Sequence, residues 1–173
     1  MPDGMLRRDE ASAMRSDEHQ FHLAIDSRLE NIELVQVVLN DTLERLGLDE
    51  DVRHWVDLAT REAVANAIKH GNDCDRDKTV EVDVSVDGAD VVVRVADQGG
   101  GFDPGRVEDP LAPENLLRPT GRGLFYMQKF MDRVDYGTRA GGGTVVTLRK
   151  QVFAPGAAAA AAAPNGDSDG GER

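Results

Sequence analysis

One cysteine in 173 residues, Cys74, is too few for an internal disulfide framework and removes thiol-rich zinc sites from consideration. Aromatic side chains are scarce as well, at 5% of the chain, while Val, Leu and Ala are plentiful, which suits an ordinary α/β or α+β protein. No apolar run approaches membrane-spanning length and no signal-peptide core opens the chain, so a soluble, cytoplasmic protein is expected. Basic residues are outnumbered 32 to 20 by acidic ones, and the formal charge of −12 argues against generic binding to nucleic acid or anionic membrane. A local basic cluster that holds a phosphate stays compatible with that total. His19, His22, His54 and His70 lack metal-ligand spacing such as His-Glu-x-x-His, which sets metal-hydrolase readings aside.

What is present reads in order as one domain with a real core. Residues 1–18 show no sustained period and are expected to be a flexible leader. Phe21, Leu23 and Ile25 alternate with His22 and Ala24, which predicts a short first strand. Ser27 is placed to cap a helix over residues 28–46, ended by Gly47, and Asp49 to cap a second that runs to Lys69 or His70. From Thr79 to Val86 valine alternates with Glu81, Asp83 and Ser85, and Asp87-Gly88 predicts a tight turn into an antiparallel partner, Val91 to Ala96. One sheet face should then be apolar and the other wet. Residues 103–120 carry Pro104, Pro110, Pro113 and Pro119, so no regular element is expected there, and Leu111, Leu116 and Leu117 suit a lid that docks. A third helix opens at Gly121, with Leu124, Met127, Phe130 and Met131 inward, before a closing hairpin of Val134–Tyr136 and Thr144–Leu148, separated by a glycine-rich bend at Gly141-Gly142-Gly143. The stretch 153–173, with its run of seven alanines, has too little large apolar surface to pack and is expected to be disordered.

The second helix carries the first chemical signal. Val52, Trp55, Val56, Ala59, Ala63 and Ala67 form one stripe at helical spacing, with Trp55 expected in the core. Asn66 falls inside the stripe and Glu62 at its edge, a carboxylate and an amide one turn apart on one face. Asn66 offers a neutral oxygen suited to Mg²⁺, and Glu62 can orient or deprotonate a hydroxyl beside it. The plain alternative is a buried Asn satisfied by backbone.

Two glycine boxes follow. Asp97 ends the strand before Gly99, Gly100 and Gly101, where it can accept from an exocyclic amine while the glycines let backbone approach a flat ring. A turn that only turns is the rival reading. Gly121-Arg122-Gly123 at a helix start offers free N–H groups to an anion, with Arg118 and Arg122 adding charge, or else it is a plain hinge. Neither box is a P-loop or a dinucleotide fingerprint.

Together, Glu62-x-x-x-Asn66, Asp97-x-Gly99-x-Gly101 and Gly121-x-Gly123, in this order with a loop before the last, resemble the GHKL ATPase superfamily. Within it, Glu-Ala-Val-Ala-Asn-Ala-Ile-Lys-His-Gly-Asn and Gly-Arg-Gly-Leu-x-x-Met-x-x-Phe-Met-Asp look most like the bacterial anti-sigma factor serine kinases. The resemblance covers about residues 20–150 and implies an α/β, or α+β, two-layer sandwich of the Bergerat type. Its sheet would be mixed but mostly antiparallel, with helices on one face and ATP and Mg²⁺ bound over residues 19–152. It implies Asn66 as Mg²⁺ ligand, Asp97 as adenine acceptor, Gly99 and Gly101 flanking the base, and residues 103–120 as lid. Gly121 and Gly123 would bind phosphates, with Arg118, Arg122 and Leu124 counted in the same nucleotide-binding set. Glu62 would be the general base for transfer to a protein serine. Lys69 resembles a phosphate-contacting position of histidine kinases, against the simpler reading of a solvated helix-end lysine. Thr144, in a Gly-Thr strand start, resembles the closing strand of such a pocket.

The implied partners are a small anti-sigma-factor antagonist of the STAS type and a sigma factor, with a homodimer as a further option. The lid is longer and richer in proline than in the best-known sporulation kinase. No dimerisation helices or phospho-acceptor His segment precede the domain, and no transducer domain follows, which points away from histidine kinases, gyrase and chaperone machines. Two other functions fit the same residues: an adaptor that binds ATP only as a conformational ligand, and a slow ATPase without a protein acceptor.

Overall fold

Valine at every second position from Val80 to Val86 produces a strand with one apolar edge, and all four side chains are buried in the structure. Each contributes about 2 kcal/mol of burial relative to exposure. The computed structural model describes residues 18–101 and 119–152. Residues 1–17, 102–118 and 153–173, which hold most of the expected leader (1–18), most of the expected lid (103–120) with Arg118, and the expected tail, lie outside the described residues.

Strand β1 (Glu18–Asp26) is followed by a 3-10 turn (Leu29–Asn31), helix α1 (Ile32–Arg45) and helix α2 (Glu50–Asn66), whose last turn is a π turn (Ala67–Gly71). Next come β2 (Thr79–Asp87), β3 (Asp90–Ala96), helix α3 (Pro119–Phe130), β4 (Arg133–Thr138) and β5 (Thr144–Gln151). The five strands form one sheet in the order β1-β2-β3-β5-β4. All four pairings are antiparallel, where a mixed sheet was expected, since β5 returns beside β3 and against its own hairpin partner β4. The core lies between this sheet and the helices and joins Val35, Leu39 and Leu43 of α1, Val56 and Val64 of α2, Met127 of α3 and the inward valines of β2 and β3.

Several local expectations are corrected by contacts between residues far apart in sequence. Ser27 does not cap a helix: its hydroxyl donates to Lys78 O at 2.8 Å and accepts from Asn72 Nδ2 at 2.8 Å, and it is 1% exposed. The chain therefore enters α1 through a 3-10 turn at Leu29 rather than a capped start at Arg28. Asp49 stands at the N-cap of α2 without a side-chain hydrogen bond. Trp55 is half-buried, stacked on Phe130 of α3 with ring centroids 3.8 Å apart and planes 10° off parallel. A flat indole can cover the seam between two helices while keeping one edge in water.

The outer sheet face is wet but laced with ion pairs, Arg149 to Asp87 and Arg139 to Glu81 among them. Val92 points to that face and is nonetheless buried, between its register partners Ser85 and Arg149. A bulge at Gln20 shifts the register of β1, so that His19 and His22 share a face and both approach Asp83 Oδ1, at 3.5 and 2.7 Å.

Candidate nucleotide site

Asp97 follows the last residue of β3, and the first question is what holds a carboxylate that is 5% exposed. Its Oδ1 accepts from Gly99 N at 2.9 Å and from Thr144 N at 3.0 Å, while its own N–H donates to Thr144 O at 2.9 Å. Oδ2 has no hydrogen-bond partner among the described residues, and it is the oxygen that faces Gly71. One oxygen is thus committed to the scaffold, and the other keeps its acceptor capacity unused among the described residues. Asp97, Gly99 and Thr144, three of the expected residues, meet here. Gly101, with φ +94°, continues the same loop.

Three residues that the sequence reading treated only as breaks or turns complete this corner. A Cβ on Gly71 would collide with the Asp97 carboxyl group, and one on Gly99 with Gly71 O. A Cβ on Gly143, where φ is +108°, would collide with Asp97 O. Gly71, Gly99 and Gly143 therefore allow three backbone segments to close on one carboxylate, and no side chain larger than hydrogen fits. The third residue is Asn72, 0% exposed, whose side chain reaches Ser27, Thr79 O and Gln98 N. Gly71 and Asn72 close the family-like segment that begins at Glu62, but were given no part there beyond a Gly-Asn helix stop, which is common to many helices.

The second half of the site lies on α2 and α3. Glu62 and Asn66 are both half-buried, one turn apart, so Asn66 sits at the rim of the apolar stripe and not within it. The Asn66 side chain has no hydrogen-bond partner among the described residues. The reading of a buried, backbone-satisfied asparagine thus belongs to Asn72, six positions on. Glu62 leans on α3, where a Cβ on Gly123 would lie 2.6 Å from Glu62 Oε2. Gly123 is needed for that approach, and α3 already includes Pro119 and Thr120, before Gly121. Leu124 is half-buried against the core. The Arg122 side chain, like Arg118, lies outside what is described.

Lys69 is exposed in the π turn and, with Arg61, Glu62 and Ala65, lines a groove of about 570 Å³ against Leu29 and Gln36. The π turn joins the two halves: Asn72 N donates to Ala67 O at 2.8 Å, one residue beyond the α-helical partner, and Asp73 and Cys74 then turn with φ 53° and 56°.

Among the described residues no three His, Cys, Asp or Glu side chains converge as a metal cage. A divalent cation here would take Asn66 as a protein ligand and its remaining oxygens from water and phosphate, the coordination Mg²⁺ prefers. The acceptor oxygen of Asp97 and the glycine-lined approach to it fit a purine amine.

Three helices and a π turn over an antiparallel sheet, with an acidic residue fixed at the end of the middle strand, make a two-layer α/β domain. A family model described as histidine kinase-like ATPase domain matches residues 25–150, and the chain belongs to that family. Within it the chain is of the anti-sigma factor kinase-like kind. It is 31% identical over 136 residues to the anti-sigma F factor of Geobacillus stearothermophilus, covering 76% of this chain and 92% of that one. The anti-sigma F factor of Clostridium beijerinckii is 29% identical over 129 residues, 72% of this chain and 89% of its own. In fold, the chain resembles the RsbU and RsbW domains of Rv1364c from Mycobacterium tuberculosis, with TM-score 0.57 and 21% identity over 78% of this chain and 32% of that one. No helix among the described residues is long and apolar enough to cross a membrane.

Proposed function

We propose that this ATP-using, anti-sigma-factor-type domain is a protein serine kinase that binds Mg²⁺·ATP. It passes the γ-phosphoryl group to a serine of a small STAS-type antagonist, and it holds a sigma factor when that antagonist is phosphorylated. The observation that supports the nucleotide assignment is the division of labour at Asp97, with Oδ1 fixed by two backbone N–H groups and Oδ2, beside Gly71, without a hydrogen-bond partner among the described residues. Asp97 accepts from the adenine amine, and Gly99 and Gly101 admit the ring. Asn66 ligates Mg²⁺. Lys69, Arg118, Arg122 and the start of α3 at Gly121, Gly123 and Leu124 serve the phosphates, and Thr144 closes the base pocket. When bound, the cation neutralises charge on the transferring group.

Glu62 stands one helical turn from Asn66 and against Gly123 of α3, so among the described residues it is the carboxylate that takes the proton of the serine hydroxyl as the new P–O bond forms and the bond to ADP breaks. Mixing the protein with ATP, Mg²⁺ and the antagonist tests this by the appearance of phosphoserine. Glu62→Gln should retain ATP binding and lose phosphotransfer, and Asn66→Ala should lose Mg²⁺-dependent ATP uptake. Wild-type transfer by Glu62→Gln would remove the base assignment. ATP bound without any phosphoserine would leave an adaptor.

A further inference from the structure

Asn72 is the most deeply buried amide of the described residues, and every hydrogen-bonding side of it is used. Nδ2 donates to Ser27 Oγ at 2.8 Å and to Thr79 O at 2.9 Å, which ties it to the end of β1 and the start of β2. Oδ1 accepts from Gln98 N at 2.7 Å, the residue between Asp97 and Gly99. Its backbone N–H closes the π turn on Ala67 O, and its carbonyl accepts from Asp75 N at 2.9 Å. One side chain therefore joins the helix end that carries Asn66, the scaffold strands and the loop that aims Asp97.

We propose that Asn72 is a positioning residue for base recognition: its amide sets the distance between Gly71 and the Asp97–Gly99 loop, and hence where Asp97 Oδ2 meets the purine. The inference rests on the nucleotide reading above and adds to it a residue that touches no ligand. Gly71 lies directly before Asn72 and packs on the Asp97 carboxyl group, so a shift of the amide is passed to both walls of the same corner. The effect is specific to the base. An acceptor oxygen at Asp97 suits the adenine amine and opposes the guanine carbonyl, so a misplaced Asp97 costs ATP affinity and leaves GTP, held by sugar and phosphates, nearly as before.

The experiment is competition of ATP and of GTP against a fluorescent ATP analogue, on the full chain, alongside melting curves. Asn72→Asp keeps the shape, loses both Nδ2 donors and sets an oxygen against Thr79 O, a repulsion that displaces the side chain and with it the oxygen that holds Gln98 N. ATP Kd should rise about tenfold, the scale of one net hydrogen bond, with GTP Kd within about twofold, so that discrimination collapses. Ser27→Ala cuts the amide on its scaffold side only and should lower the melting temperature while leaving ATP affinity in place. Should Asn72→Asp not fold, Asn72→Ser, which keeps a smaller hydrogen-bonding group, carries the same comparison. Equal weakening of ATP and GTP, unchanged ATP binding in a folded Asn72 variant, or weakening by Ser27→Ala to the same extent overturns the positioning role while the nucleotide site stands. A wild-type chain that binds no ATP overturns both.

Discussion

Gly123→Ala should move stability and activity in opposite directions. Gly123 lies inside α3, where alanine is favoured over glycine by about 1 kcal/mol. The new Cβ would arrive 2.6 Å from Glu62 Oε2 and 3.4 Å from Glu62 Cδ, so the carboxylate must swing aside. Glu62 is half-exposed and its end is flexible, so turning it off its rotamer costs about 0.5–1.5 kcal/mol, close to the helical gain. Net stability should change by less than about 1 kcal/mol, a melting shift within about 4 °C. The proposed general-base role of Glu62 has no such compensation, since displacing a base by about 1 Å costs on the order of 100-fold in rate. Single-turnover transfer of labelled γ-phosphate to the antagonist, paired with calorimetric melting, measures both quantities. A variant that transfers at the wild-type rate would show that Glu62 does not act from the position it holds against Gly123. A melting temperature lower by 10 °C would show that the approach is structural and not catalytic.

Gly71→Ala meets a carboxyl group that cannot move, because Asp97 Oδ1 is tied to two backbone N–H groups. Overpacking of this kind costs about 1–3 kcal/mol, and ATP affinity measured by calorimetry should fall with it. If the variant melts and binds as wild type does, the close packing of Gly71 on Asp97 is wrong. Burial pushes the Tyr136 phenol up to about 12, so the folded chain holds that proton through a pH range in which the unfolded chain loses it. Stability from this group is complete below pH 10 and falls as pH rises toward 12, and absorbance at alkaline pH should show a late tyrosine. Titration of Tyr136 near the ordinary phenol value would contradict the buried placement.

Local periodicity exposed most of the framework and little of its stitching. Val80 to Val86 reads as a strand because alternation needs no knowledge of the rest of the chain, and α2 reads as a helix for the same reason. Glu62, Asn66 and Asp97 drew attention by residue type and order and Thr144 by the family resemblance, and the fold brings Asp97 to Thr144 and Glu62 to Gly123. Ser27 and Asn72 were not. Their bond spans 45 positions, and a serine before a helical stripe looks locally like a cap whatever it does in the fold. Gly143 was visible only as part of a flexible bend, because its role depends on Asp97 O, which arrives from another strand. Trp55 sat on the apolar stripe at a position that opens to the seam with α3, and a stripe cannot tell its centre from its edge.

The way Asp97 is gripped also decides what an amide would do in its place. Two N–H groups, from Gly99 and Thr144, claim one terminal oxygen, so asparagine there would have to turn its carbonyl toward them and its NH₂ outward. The outward atom would then give a proton where the native one receives it, and the corner would complement a keto oxygen. The main chain around residue 97 thus enforces a polarity, and the letter of the nucleobase alphabet that can settle there follows from it.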